Sequence, residues 1–282
     1  TAATKDALNW LEDWAQPNGG PLNLAVERTP ATEQLARDAD RGTLEIARHS
    51  RGQVARRLWS GALTEAKAAL AGGPWQEELI RRLATGDAVV WLVLEGTDPV
   101  AATHAAQLLD DELPRLAEDT VLPRGIGLPG SELLAAIPLE VRFSVLTVPA
   151  GAGGEELLRA TLLAGHQESA AEGETLDPQA ALVVPVFGRG RAAAVLPAAT
   201  LTGDALAEFT AFLCGACSCQ VKQLNPGFDL LLPVDWEQVL FGEGLAALPQ
   251  PAGEPATTRK LELVPIPAGR SRPSAAPLRV AP

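Results

Sequence analysis

The stretch AVVWLVLEGTDP, residues 88–99, decides the fold class. Its first seven residues are apolar without a break and rich in valine. That pattern predicts a strand covered on both faces rather than one alternating between core and solvent. Gly96 and Thr97 end the run, and Asp98-Pro99 opens a helix. Asp98 is placed to accept a bond from an amide of the first turn, and Pro99 suits the first helical position, where an amide would go unbonded. The apolar spacing then carries the helix to about Ala117.

Working toward the C-terminus, LEVRFSVLTV (139–148) predicts a second strand and Glu155–Ala164 a second helix. Ala181–Phe187 and Ala192–Leu196 flank Gly188-Arg189-Gly190-Arg191 and read as a hairpin. Thr202–Leu213 reads as a third helix, with Thr202 and Asp204 available to cap it. Toward the N-terminus, Thr4–Ala15 has Ala7, Leu8, Leu11 and Trp14 at helical spacing, and Pro17-Asn18-Gly19-Gly20 breaks it. A short strand at Leu22–Arg28, a helical turn at Thr32–Asp38 and a hairpin from Thr43–Arg48 and Gln53–Leu58 are expected next. A helical region from Thr64 to Leu83 follows, interrupted near Gly72-Gly73-Pro74. The fold class is α/β.

From residue 88 the order is strand, helix, strand, helix, strand, strand, helix. This βαβαββα order resembles the thioredoxin-like core, and the segments carrying the resemblance are AVVWLVLEGTDP, LEVRFSVLTVP (139–149) and ALVVPVFGRGRAAAVLP (181–197). The first third looks like a smaller, truncated version of the same unit. The expected division is therefore a partial thioredoxin-like α/β domain over 1–86, a thioredoxin-like domain with a Cys-rich C-terminal segment over 87–247, and a Pro-rich tail over 248–282. A working member of that family carries Cys-x-x-Cys between its first strand and first helix; the matching positions here are Gly96-Thr97-Asp98-Pro99, without a cysteine. A proline usually precedes the third strand in that family, and Pro178 matches it, although Pro185 lies inside the strand run. The resemblance thus implies the fold without the redox activity: a non-catalytic interaction or scaffold protein with a protein partner. The segments LWSGALTE (58–65), VFGRGRA (186–192) and CSCQVK…NPGFDLL (217–231) also resemble uncharacterised bacterial proteins, which implies no particular activity.

The rival reading rests on Cys214, Cys217 and Cys219, which are all the cysteine in the chain. Cys-x2-Cys-x-Cys offers three soft thiolates for zinc, copper(I) or an iron–sulfur centre. Zinc in a structural site normally takes a fourth protein ligand, which His49, His104 or His166 would have to supply. Cys214 and Cys217 also have redox spacing, but Cys214 falls at a helix C-terminus, where the dipole opposes a thiolate. A short helix beginning near Cys219 would favour Cys217 or Cys219, with Lys222 adding charge. A thiol–disulfide oxidoreductase or a metal-handling protein is the alternative function. One disulfide plus a buried thiol, or three small buried residues, is the plain structural alternative.

Other motifs fail on context. Gly125-Ile126-Gly127-Leu128-Pro129-Gly130 matches a dinucleotide pattern but follows no strand, and Pro129 sits where the helix should open. Gly151-Ala152-Gly153-Gly154 joins a strand to a helix, yet Glu155-Glu156 already occupies the positive helix end and would repel phosphate. His49, His104 and His166 show no metal-ligand spacing, and no Gly-x-Ser-x-Gly elbow occurs. Asp110-Asp111-Glu112 reads as a solvated face. The six tryptophans read as core area, and Arg189 and Arg191 as a solvated turn. No catalytic residue and no cofactor is assigned, apart from the metal alternative at the cysteines.

Composition narrows the partner class. Hydrophobic residues make up 46% and the net charge is −12, so a soluble, acidic protein with a real core is expected. Its scattered arginines argue against a nucleic-acid partner. No run approaches the ~20 apolar residues of a membrane span. The chain has no methionine and no tyrosine; a reading frame starts with Met, so Thr1 is expected to be a processed, trimmed or internal start. A disulfide would suit an oxidising compartment, which favours an extracytoplasmic bacterial location over a cytoplasmic one.

Overall fold

The computed structural model describes residues 2–14, 42–48, 55–71, 73–121, 141–169, 175–214, 227–232, 234–236 and 239–240. The expected strand at 22–28, the turn at 32–38, the glycine motif at 125–130, Cys217, Cys219, His49 and the tail from 248 lie outside these residues.

The apolar run becomes the centre of the molecule. Helix α1 (Ala2–Trp14), the hairpin strands β1 (Thr43–Arg48) and β2 (Arg56–Ala62), and helices α2 (Ala66–Ala71) and α3 (Pro74–Ala84) precede it. Strand β3 (Val89–Leu94) then leads to α4 (Pro99–Asp119), β4 (Phe143–Val148), α5 (Glu155–Ser169), β5 (Leu182–Phe187), β6 (Arg191–Ala192), β7 (Leu196–Pro197), α6 (Gly203–Cys214) and β8 (Phe228–Asp229). Among the described residues the main sheet runs β4-β3-β5-β6-β8, with β7 also on β5. Strand β3 is parallel to β4 and antiparallel to β5. The chain is α/β with a mixed sheet, and every residue of β3 is buried.

Alternate residues of β3 feed two separate cores, as the two-residue period of a strand demands. Val89, Trp91 and Val93 pack with Ala105, Leu109 and Leu113 of α4 and Leu206 of α6 on one face. Val90, Leu92 and Leu94 pack with Leu158 and Leu162 of α5 on the other, joined by Trp75, Leu79 and Leu83 of α3. A third cluster holds α1, β1 and α2 together through Leu11, Ile46 and Leu70, and Leu157 of α5 completes it. No helix among the described residues is long and apolar enough to cross a membrane.

Three differences from the sequence reading have physical causes. Strand β2 runs on past Leu58 to Ala62, because register with β1 pairs Ser60 with Glu45 and Gly61 with Leu44. Helix α5 continues past Ala164 through Gly165 to Ser169, and the Phe228 ring accounts for the glycine: a Cβ at 165 would lie 2.3 Å from it. The returning arm of the second hairpin is split into β6 and β7 by a one-residue register shift. Pro185 explains the split. Its carbonyl accepts from Ala193 N at 2.9 Å, but it has no amide to return, so the ladder bulges there.

Strand β4 ends the sheet among the described residues. The Arg142 and Val148 carbonyls accept from β3-side amides, so that of Val145 faces outward. Arg82 of α3 caps it, with Nη1 at 2.6 Å, while Glu78 holds the guanidinium. A charged cap of this kind blunts an exposed strand edge.

Candidate functional site

The loop that follows β3 holds Gly96-Thr97-Asp98-Pro99, and its geometry follows from its residues. Asp98 takes an extended conformation and its Oδ1 accepts from Val100 N at 2.9 Å, which caps α4 with Pro99 just inside it. Opposite lies a tight turn at Asp177–Ala180. Pro178 supplies the fixed φ of its second position, and Asp177 closes it twice, from Gln179 N to the carboxylate at 2.9 Å and from Ala180 N to the carbonyl at 3.1 Å. The two segments touch. Thr97 N donates to the Gln179 carbonyl at 2.9 Å, and a Cβ on Gly96 would lie 2.4 Å from both Gln179 O and Ala181 N. Only glycine permits this approach.

Arg159 of α5 fastens the arrangement from beneath. Its Nη1 donates to the Ala180 carbonyl at 2.7 Å and to that of Pro178 at 3.4 Å, its Nη2 to the Glu95 carbonyl, and its Nε to Glu155 at 2.6 Å. The Glu95 carboxylate accepts from Ala150 N at 3.2 Å, linking the loop after β3 to the loop after β4. The guanidinium is thus occupied by carbonyls and one carboxylate. It acts as a positioning residue that joins three segments rather than as a cation offered to a ligand. The sequence reading missed it. The available signal was Glu155 and Arg159 one turn apart at the start of the helix, a spacing that lets them pair.

The glycine run after β4 is also committed internally. Ala152 N bonds to Pro149 O at 3.1 Å, Glu155 N to Ala152 O at 2.9 Å, and the Gly153 carbonyl accepts from Trp75 Nε1 at 2.8 Å. The Ala152 and Glu155 amides and the Gly153 carbonyl are thus engaged in a turn and a helix start.

Of the three cysteines, Cys214 is placed by the described residues and Cys217 and Cys219 are not. Cys214 is the last residue of α6 and is a free, buried thiol in the α4–α6 core. Burial pushes its pKa up to about 11, so at neutral pH it is a packed thiol and not a nucleophile. Among the described residues no group of three or more His, Cys, Asp or Glu is arranged to hold a metal ion. His104 lies exposed on α4, and Glu112 of the acidic run pairs with Arg115 at 2.7 Å. Arg191 is engaged by Asp229 at 2.8 Å and the Gly227 carbonyl at 2.7 Å. Trp75 and Trp91 are core residues.

A shallow groove of about 350 Å³ opens at the opposite end of β3 and β4, lined by Asp87, Asp110, Leu113, Pro114, Arg142 and Phe143 among others. Asp87 is held there by Ser144 Oγ at 2.7 Å and Arg142 at 3.5 Å. Pro114 leaves the Asp110 carbonyl without its helical donor on this solvent-facing side, where water can replace it.

Compared with known proteins, the chain matches no family model, no curated protein and no solved structure.

Proposed function

We propose that this chain is a non-catalytic thioredoxin-like module that serves as a protein-interaction or scaffold domain. One observation carries the reading. The loop Gly96-Thr97-Asp98-Pro99, which stands where the resembled family keeps its thiols, is bonded to the Asp177–Ala180 turn through main-chain atoms. The sheet order β4-β3-β5-β6, with α4 and α6 on one face and α5 on the other, supports it. A fold can persist in this way after its chemistry is gone. The surface beside the loop presents Thr97, Pro99, Val100 and Pro178, all exposed, as a contact area for a partner. Val100 is 73% exposed, unusual for a large apolar side chain.

The test is a thiol titration of the native and denatured protein, with elemental analysis for bound metal and a disulfide-reduction assay. The proposal expects no stoichiometric metal and no catalysed reduction, together with partner binding that survives thiol alkylation and weakens on Val100→Asp. Metal retention, or disulfide reduction lost on Cys217→Ala or Cys219→Ala, would replace it with the thiol-based reading.

A further inference from the structure

Gln76 is a polar residue in an apolar place. It follows Trp75 in the first turn of α3, is 5% exposed, and packs where α2, α3, α5 and the segment after β8 meet. Its Nε2 donates to the Leu231 carbonyl at 2.9 Å. Its Oε1 is buried and has no partner among the described residues. A buried amide oxygen without a donor is rare in folded proteins, and each instance calls for a cause.

The cause lies beside it. A cavity of about 10 Å³ adjoins the side chain, lined by Gln76 and Thr161 together with Ala69, Trp75, Leu157 and Leu231 among others. That volume accepts one water molecule. An organic ligand needs a pocket of ~300 Å³ or more. Thr161 supplies the second requirement. Its Oγ1 gives its own proton to the Leu157 carbonyl at 2.7 Å, which leaves the oxygen's lone pairs as acceptors, and Thr161 lines the same cavity.

We infer that this cavity is a binding site for a single structural water. The water donates one proton to Gln76 Oε1 and the other to Thr161 Oγ1, and so completes a bridge from α3 through Gln76 to α5 and to Leu231. Thr161 Oγ1 has committed its proton to the Leu157 carbonyl and an amide oxygen has none to give, so neither can satisfy the other. An ammonium ion would fit the volume but would stand without a carboxylate among the lining residues, which excludes it. The water belongs to the seam between the N-terminal helices and the main sheet.

A crystal structure of the full chain at a resolution that shows ordered solvent is the direct test. One solvent peak within hydrogen-bond distance of both Gln76 Oε1 and Thr161 Oγ1 is expected. An unfilled cavity, or a protein donor on Gln76 Oε1, would overturn the inference. Thr161→Val keeps the side-chain shape and removes one of the two acceptors, so the peak should be lost or displaced in that variant while Gln76 Nε2 stays on Leu231. In solution, water cross-relaxation to the Gln76 side-chain amide should be present in the parent chain and reduced in Thr161→Val; equal signals in both would also overturn it.

Discussion

Arg159 and Glu155 stand one helical turn apart with Nε 2.6 Å from Oε1, and their side chains are only 12% and 10% exposed. The pair is nearly dry, so its members depend on each other. Removing the guanidinium strands a buried carboxylate and releases three main-chain carbonyls at once. The first-turn position of Glu155 offers some relief through the helix dipole.

Arg159→Met is therefore expected to lower stability by about 3 kcal/mol, toward the smaller end for a broken buried pair. Urea unfolding measures this. Adding Glu155→Gln should recover part of the loss, with a coupling of ~1–3 kcal/mol between the two sites. Strictly additive losses would mean that the pair itself matters little and that the carbonyl contacts carry the effect.

Gly96→Ala tests the closeness of the two loops. The new Cβ would meet Gln179 O and Ala181 N at 2.4 Å, and neither atom can retreat freely. Gln179 O is bonded to Thr97 N, and the carbonyl of Ala181 accepts from Ala198 N at 2.9 Å. A loss of ~2 kcal/mol is expected, with faster hydrogen exchange at the Thr97 amide. Thr97→Ala removes only a long 3.4 Å hydroxyl contact and should cost under ~1 kcal/mol. Equal losses in the two variants would contradict a sealed loop.

Acid sensitivity has an identifiable contributor on α3. Hydrogen bonds from Arg81 and then Arg82 hold the Glu78 carboxyl down at about 2, from an ordinary value of 4.5. A folded-state value below the unfolded one stabilises the fold above the unfolded pKa, and that contribution fades as pH falls from 4.5 toward 2. Glu78→Gln should thus show a flatter stability profile across this window, while the parent loses stability more steeply. A Glu78 titration observed by NMR near the ordinary carboxylate value would refute the assignment.

The sequence disclosed the architecture better than the site, for reasons visible in particular residues. Strand β3 announced itself because both faces are buried, and α4 because Asp98-Pro99 is a strong start signal that the structure uses as read. Thr202 likewise caps α6, its Oγ1 accepting from Ala205 N at 3.3 Å, so Asp204 was the wrong one of the two candidates. The helix α5 runs on past Ala164 over a glycine whose cause, the Phe228 ring, lies far along the chain. The extension of β2 past Leu58 was hidden because it is set by register with β1, which lies in another segment. Arg159 was illegible for a deeper reason: three of its four partners are main-chain carbonyls, and carbonyls leave no mark in a sequence. The same holds for Gln76 and its bond to Leu231 O.

Cys214 offers a last test, one that separates a packed thiol from a reactive one. Its pKa is raised by burial to about 11 from an ordinary 9.0, which favours the protonated form in the folded chain. That contribution to stability is whole below pH 9 and is lost as pH rises through the window up to about 11, because ionisation then favours the unfolded state. The parent should accordingly lose stability more steeply than Cys214→Ala across this alkaline range. Alkylation read peptide by peptide should spare Cys214 in the native protein at neutral pH and modify it readily after denaturation. Native labelling of Cys214 at the rate of an exposed thiol would mean that the end of α6 opens in solution, and it would return this cysteine to the list of chemically active groups.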